Sequence, residues 1–119
     1  MNIVERQTEI ITAIEQTAST KPEKANEFVN RLENNLLTIV THTTIKAKEA
    51  TNKIFGTENT KKYSDSLKRT KQAIADLNKM CQELGLEPIT TIDITNDELV
   101  ENFVNEAGDQ CYKAGRQKY

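Results

Sequence analysis

Apolar residues recur at steps of three and four along most of this chain, which is the spacing of an amphipathic α-helix. The pattern falls into four segments and predicts helices over about residues 2–18, 22–55, 60–84 and 96–114. The breaks between segments carry most of the chain's few prolines and glycines. We therefore predict an all-α fold, an antiparallel bundle of four helices formed by a single domain over residues 1–119.

The second segment is much the longest. Pro22 stands at its start and Gly56 follows its end, as expected for a helix start and a helix end. Six of the seven residues in 39–45 are β-branched, so a bend or an early stop there is one interpretation. We favour one continuous helix because the apolar seam keeps its phase across this stretch. The seam comprises Ala25, Val29, Leu32, Leu36, Ile39, Thr43, Ala47, Ala50 and Ile54.

The third segment has the most regular seam, with alternating steps of four and three that are typical of coiled-coil packing. Its members are Tyr63, Leu67, Thr70, Ile74, Leu77, Cys81 and Leu84. Gly85 and Pro88 end it, and the stretch from Thr95 to Glu98 has the pattern of a capping box for the fourth helix. The connector 86–94 is β-prone. It either covers the end of the core or pairs as a strand with a second copy.

The first predicted helix is about half as long as the second. The distal part of the long seam must therefore be covered by the third and fourth helices or by another chain. This mismatch predicts a homodimer or a bundle that binds a protein partner.

Charge is segregated along the chain. Residues 46–71 hold eight basic and three acidic groups, whereas residues 80–112 hold eight acidic groups and no lysine or arginine. The simplest interpretation is internal, with the acidic fourth helix beside the basic hairpin around Gly56. Nucleic-acid binding by the basic 46–71 region is possible but not favoured, because the net charge is -2 and no aromatic residues are interleaved for base stacking.

The chain offers few residues for chemistry. His42 is the only histidine, lies among threonines and has no acidic residue one turn away, so we expect a partly exposed surface histidine. Cys81 and Cys111 both fall on apolar seams, where a free cysteine packs as a small hydrophobe. No glycine-rich phosphate loop is present. We expect no catalytic, cofactor-binding or metal-binding residues, no cofactor, and a protein that is not an enzyme.

Two short stretches resemble known families. Glu98, Glu101, Glu106 and Asp109 form ExxE and ExxD patterns that resemble the carboxylates of all-helical nucleotide pyrophosphatases of the MazG type, which implies a Mg²⁺ and phosphate site. Both patterns share one helix here, and solvated acids near a helix start are the alternative. Residues 21–32 (KPEKANEFVNRL) resemble the start of helix two in bacteriocin immunity proteins, which implies protection against a pore-forming peptide.

The location follows from the absence of a long apolar stretch. The first residues carry Glu5, Arg6, Glu9 and Glu15 where a signal peptide would be apolar, so we expect a cytoplasmic protein without a membrane span. Size and Ile/Lys/Asn/Thr-rich composition are typical of small bacterial proteins of phages or other mobile elements. We expect a non-enzymatic protein that acts by protein–protein interaction or regulation. Immunity and nucleic-acid binding are the alternatives.

Overall fold

The computed structural model describes residues 3–57 and 59–117, and side chains as far as Gln110. It contains four helices: α1 (Ile3–Ala18), α2 (Pro22–Phe55), α3 (Thr60–Glu83) and α4 (Asp97–Gln117). No strand occurs in the described part of the chain. The predicted all-α bundle is confirmed, and every predicted helix boundary lies within three residues of the observed one. The side chain of Cys111 is outside the described residues.

The long helix α2 is continuous through residues 39–45, as predicted. Its threonines satisfy their hydroxyl groups within the helix, since Thr38 donates to the Asn34 carbonyl and Thr43 donates to the Val40 carbonyl. Gly56 ends α2 in the left-handed region, with φ 70°, which glycine adopts without strain. The helix spans most of the longest dimension of the molecule, which is 54 Å.

The α2–α3 pair is the most extensive helix–helix interface. The predicted α3 seam is confirmed: Leu67, Thr70, Ile74, Leu77 and Cys81 are buried, and Tyr63 and Leu84 are half-buried. A second stripe on α2 faces α3 at the same alternating steps, and all its residues are buried or half-buried. This stripe consists of Phe28, Arg31, Asn35, Thr38, His42, Ile45, Glu49 and Asn52. Most of the interface on the α2 side is therefore polar.

The helices α1 and α4 cover the other face of α2, but only as far as its middle. Ile3 of α1, Thr43 of α2 and Gly108 of α4 line one small apolar cavity, so the three helices meet there. Beyond this point the predicted seam has no cover, and Ala47, Ala50 and Ile54 are exposed. Of the two predicted covers, α3 and α4 or another chain, the first is wrong, because α3 packs on the second stripe of α2 and α4 crosses α2 nearer its middle.

The connector 86–94 has no strand and covers the core, which confirms the first of the two interpretations. The Asn78 side chain on α3 accepts hydrogen bonds from the backbone N–H groups of Ile89 and Thr90 and donates to the Thr90 carbonyl. These bonds hold Ile89 in the core, where it is buried. The predicted Thr95 cap of α4 is wrong: Asn96 accepts from the Leu99 N–H, because the Thr95 hydroxyl is bonded to Asp93.

We call this second stripe of α2 the polar stripe. Within it, an ion-pair network joins α2 to α3. Arg31 donates to both carboxylate oxygens of Asp76, at 2.7 and 3.2 Å, and to Glu83 at 2.7 Å. Asn35 adds a 2.7 Å hydrogen bond to Asp76. The Arg31 hydrogen bond outweighs partial burial and lowers the pKa of Asp76. Asp76 therefore stabilises the fold in its charged form.

Replacing Arg31 by methionine tests this network. Because the pKa of Asp76 is lowered in the folded state, its contribution is present above the unfolded pKa of about 3.9 and is lost as pH falls through the folded pKa. We expect Arg31→Met to lower the free energy of unfolding by about 0.5–1 kcal/mol at neutral pH, and by less at acidic pH. Urea denaturation measures both values, with Arg69→Met as the control. An equal loss at both pH values would contradict this assignment.

Candidate functional site

His42 marks the level at which the core of the molecule ends. It is the last buried residue of α2, and Ser66 is the first buried residue of α3. Between them, none of the described residues of 43–65 is buried. We call this projecting segment, residues 43–65, the distal hairpin. His42 and Ser66 lie directly below it.

His42 has no solvent exposure, and both ring nitrogens are bonded to other helices. Its Nδ1 lies 2.8 Å from the Ser66 hydroxyl on α3, and its Nε2 lies 2.6 Å from a carboxylate oxygen of Glu101 on α4. The expectation of a partly exposed histidine is wrong. The imidazole turns away from the apolar seam and towards α3, and its acidic neighbour comes from a helix 59 residues away in sequence.

Glu101 connects this histidine to two further side chains. The second carboxylate oxygen of Glu101 lies 2.5 Å from the Lys46 ammonium group, and the Tyr63 ring packs on the His42 ring with centroids 5.4 Å apart. Burial raises the pKa of Glu101, but hydrogen bonds from Lys46, His42 and Tyr63 outweigh burial and lower it. Burial and the Glu101 carboxylate raise the pKa of Tyr63 to about 12. We call His42, Lys46, Tyr63, Ser66 and Glu101 the polar cluster.

The hydrogen bonds assign the histidine tautomer when the imidazole is neutral. A Glu101 carboxylate accepts only, so Nε2 of His42 carries the proton and donates. Nδ1 is then the acceptor for the Ser66 hydroxyl. His42 of α2 is bonded to Ser66 of α3 and Glu101 of α4, and Glu101 is also paired with Lys46 of α2. The cluster therefore joins α2, α3 and α4 at one level of the bundle.

Ser66, His42 and Glu101 follow the order of a nucleophile, base and acid relay, which the sequence did not indicate. Such a relay acts on a substrate only if the hydroxyl is accessible and N–H groups nearby can stabilise an oxyanion. Ser66 is 5% exposed and lies inside α3, where the backbone N–H groups bond within the helix. The arrangement is better suited to fixing three helices than to acyl transfer.

The acidic residues that resemble the MazG-type pattern are not brought together. Glu101 points into the polar cluster, whereas Glu98, Glu106 and Asp109 are exposed on α4. In the described part of the chain, no group of three or more His, Cys, Asp or Glu side chains is arranged to hold a metal ion. The carboxylate spacing thus reflects positions on one helix, and only Glu101 of the four is half-buried.

The distal hairpin presents the most unusual surface of the molecule. Ile54 is 81% exposed and Phe55 is 74% exposed, both in the last turn of α2. Lys46 and Lys71 form ion pairs with Glu101 and Asp97, as the internal interpretation of the charge pattern predicts. The other cations of this region have no ion partner among the described residues. They are Lys48, Lys53, Lys61, Lys62, Lys68 and Arg69.

The fold and the site define an all-α protein with a buried polar cluster beneath a basic, apolar-tipped hairpin. Within the described residues, no helix carries an apolar stretch long enough to cross a bilayer. No protein-family model matches the chain, and no curated protein and no solved structure shows significant similarity to it.

Glu101 is the residue on which the polar cluster depends. In Glu101→Gln the amide gives His42 and Lys46 a neutral partner in place of a charged one, so we expect a loss of about 1–3 kcal/mol in the free energy of unfolding. Glu98→Gln, an exposed change on the same helix, should cost about 0.5 kcal/mol. Urea denaturation measures both variants. Equal losses would show that the cluster contributes nothing beyond a surface charge.

Proposed function

We propose that this is a non-enzymatic, cytoplasmic protein that acts by protein–protein interaction, with the distal hairpin as its binding surface. One observation carries the proposal: the distal hairpin is a regular pair of helices without a buried residue among those described, yet it carries two large exposed apolar side chains. Such exposure in a folded chain is typical of a surface that a partner covers. The unpaired cations favour an acidic partner surface.

Ile54 and Phe55 would supply most of the binding energy. Fully burying a side chain of this size contributes roughly 1.5–3 kcal/mol. Both stand on a helix that ends in a defined glycine cap, so little conformational entropy is lost when they dock. The cations around them would mainly speed association and select the partner.

The polar cluster supports this role by holding the base of the hairpin. His42 and Lys46 on α2, Ser66 on α3 and Glu101 on α4 tie the two hairpin arms to the body. Further up, Glu49 accepts from the backbone N–H of Asn59 at 2.7 Å and joins the arms near the tip. The hairpin is thereby presented as a rigid projection.

The immunity alternative rests on residues 21–32, at the start of α2. The distal hairpin lies at the other end of the same helix. Within the 21–32 stretch, Ala25, Phe28 and Leu32 are buried in the core. The observed packing explains these apolar positions without a toxin partner, so immunity receives no separate support.

Photo-crosslinking in the source cells tests the binding surface. A benzophenone amino acid at Phe55 should form one discrete protein adduct, because this side chain would lie in the interface. The same group at Leu37, which is exposed on α2 outside the hairpin, should not form it. Reversing the charges of Lys61 and Lys62 should abolish the adduct if the partner is acidic. No adduct at position 55, or the same adduct at position 37, would refute the proposal.

Nucleic-acid binding is a second candidate because six cations in and just below the hairpin, over residues 48–69, have no ion partner among the described residues. It predicts that a fluorescent DNA or RNA duplex binds at low salt, and that affinity falls steeply as salt rises because counterions are released. Lys61→Glu should weaken binding, whereas Lys24→Glu at the other end of α2 should not. An unchanged fluorescence anisotropy at low salt would exclude this function.

A further inference from the structure

A cleft of about 180 Å³ opens between α1, α4 and the connector. Half of its lining is apolar, from Ile3, Ile89, Phe103 and Ala107, and half is polar, from Arg6, Thr90, Gln110 and the exposed Glu106. Its volume is close to what one large apolar side chain requires. An apolar side chain that enters the cleft would contact its four apolar residues.

The surface around the cleft has the opposite charge to the distal hairpin. Glu87 and Asp109 are exposed in the same acidic region, which has no lysine or arginine between residues 80 and 112. The guanidinium of Arg6 lies at the buried side of the cleft and is bonded to Glu9 and to the Glu87 carbonyl. Among the described side chains, the exposed charges beside the cleft are therefore acidic.

The helical phase of α2 directs Ile54 towards the side of the molecule on which α1 and α4 lie. Ile54 continues the seam through Thr43, Ala47 and Ala50, which is the face of α2 that α1 and α4 cover lower down. Ile54 cannot reach the cleft of its own chain, because it lies 11 residues beyond Thr43 on a continuous helix, about 16 Å further along. Only another molecule can bring an Ile54 to this cleft.

We propose that the occupant of the cleft is Ile54 of a second copy, in a two-fold dimer in which each copy inserts its distal hairpin into the cleft of the other. The inference rests on the proposed function and names the second copy as the partner. Each of the two contacts pairs a basic hairpin with an acidic cleft. Packing one distal hairpin on another would instead bring like charges together.

Sedimentation velocity tests the dimer with variants at two exposed positions. The wild type should dimerise, with weaker association at high salt. Ile54→Asp and Glu106→Arg should each weaken dimerisation by about tenfold or more. Leu37→Asp makes the same change of chemistry at an exposed site on α2 away from the tip, and it should leave the dimer intact. Circular dichroism confirms that each variant is folded.

Mixing the two weakened variants gives the decisive result. A heterodimer of Ile54→Asp and Glu106→Arg chains regains one of the two contacts, an intact tip in an intact cleft. The mixture should therefore associate more strongly than either variant alone. A monomeric wild type, an equal loss in Leu37→Asp, or a mixture no stronger than its components would overturn the self-docking proposal.

The failure of this inference is distinguishable from the failure of the proposed function. If the wild type is monomeric but Phe55 still forms a charge-dependent adduct with another protein, the hairpin binds a different partner and only self-docking is wrong. If the wild type is monomeric and Phe55 forms no adduct, both proposals are wrong. A DNA-bound or RNA-bound monomer would assign the hairpin to nucleic acid.

Discussion

The structure depends on one constraint: α2 must pack against two different sets of helices with two of its faces. Its apolar seam meets α1 and α4, and its polar stripe from Phe28 to Asn52 meets α3. The two stripes are covered over different lengths, because α4 reaches α2 only as far as Lys46 whereas α3 accompanies α2 to the tip. The distal hairpin is the region where α3 still covers the polar stripe but the apolar seam is exposed.

A polar interface explains how such a hairpin persists beyond the core. Hydrogen bonds and ion pairs join α2 to α3 along the polar stripe, from Arg31–Asp76 through His42–Ser66 to Glu49–Asn59, and the last of these links the two hairpin arms. Partly exposed pairs of this kind each contribute little to stability, so they mainly fix how α3 is aligned along α2. His42 is the fully buried member of the stripe's polar residues, and its two bonds are therefore the most costly to break.

The helices were predictable from the sequence because apolar period, proline and glycine all point to the same boundaries. The polar stripe was not, because hydropathy cannot distinguish a half-buried Asn35 or a buried His42 from a solvated side chain. The cluster was missed for a related reason, since Glu101 and Ser66 are brought to His42 by packing and not by spacing along α2. The repeat of positions 28, 31, 35, 38 and 42 at steps of three and four was the one available signal.

Contacts within the chain account for only part of the segregated charge. Lys46 and Lys71 are neutralised by Glu101 and Asp97 of α4, at the level where α4 crosses α2. The cations nearer the tip form no ion pair with a described residue, and the exposed acids Glu98, Glu106 and Asp109 have no cationic partner within the same part of the chain. Folding alone does not require this separation of opposite charges on one surface. Association between complementary ends of the molecule does, because it needs both signs exposed and kept apart until a partner arrives.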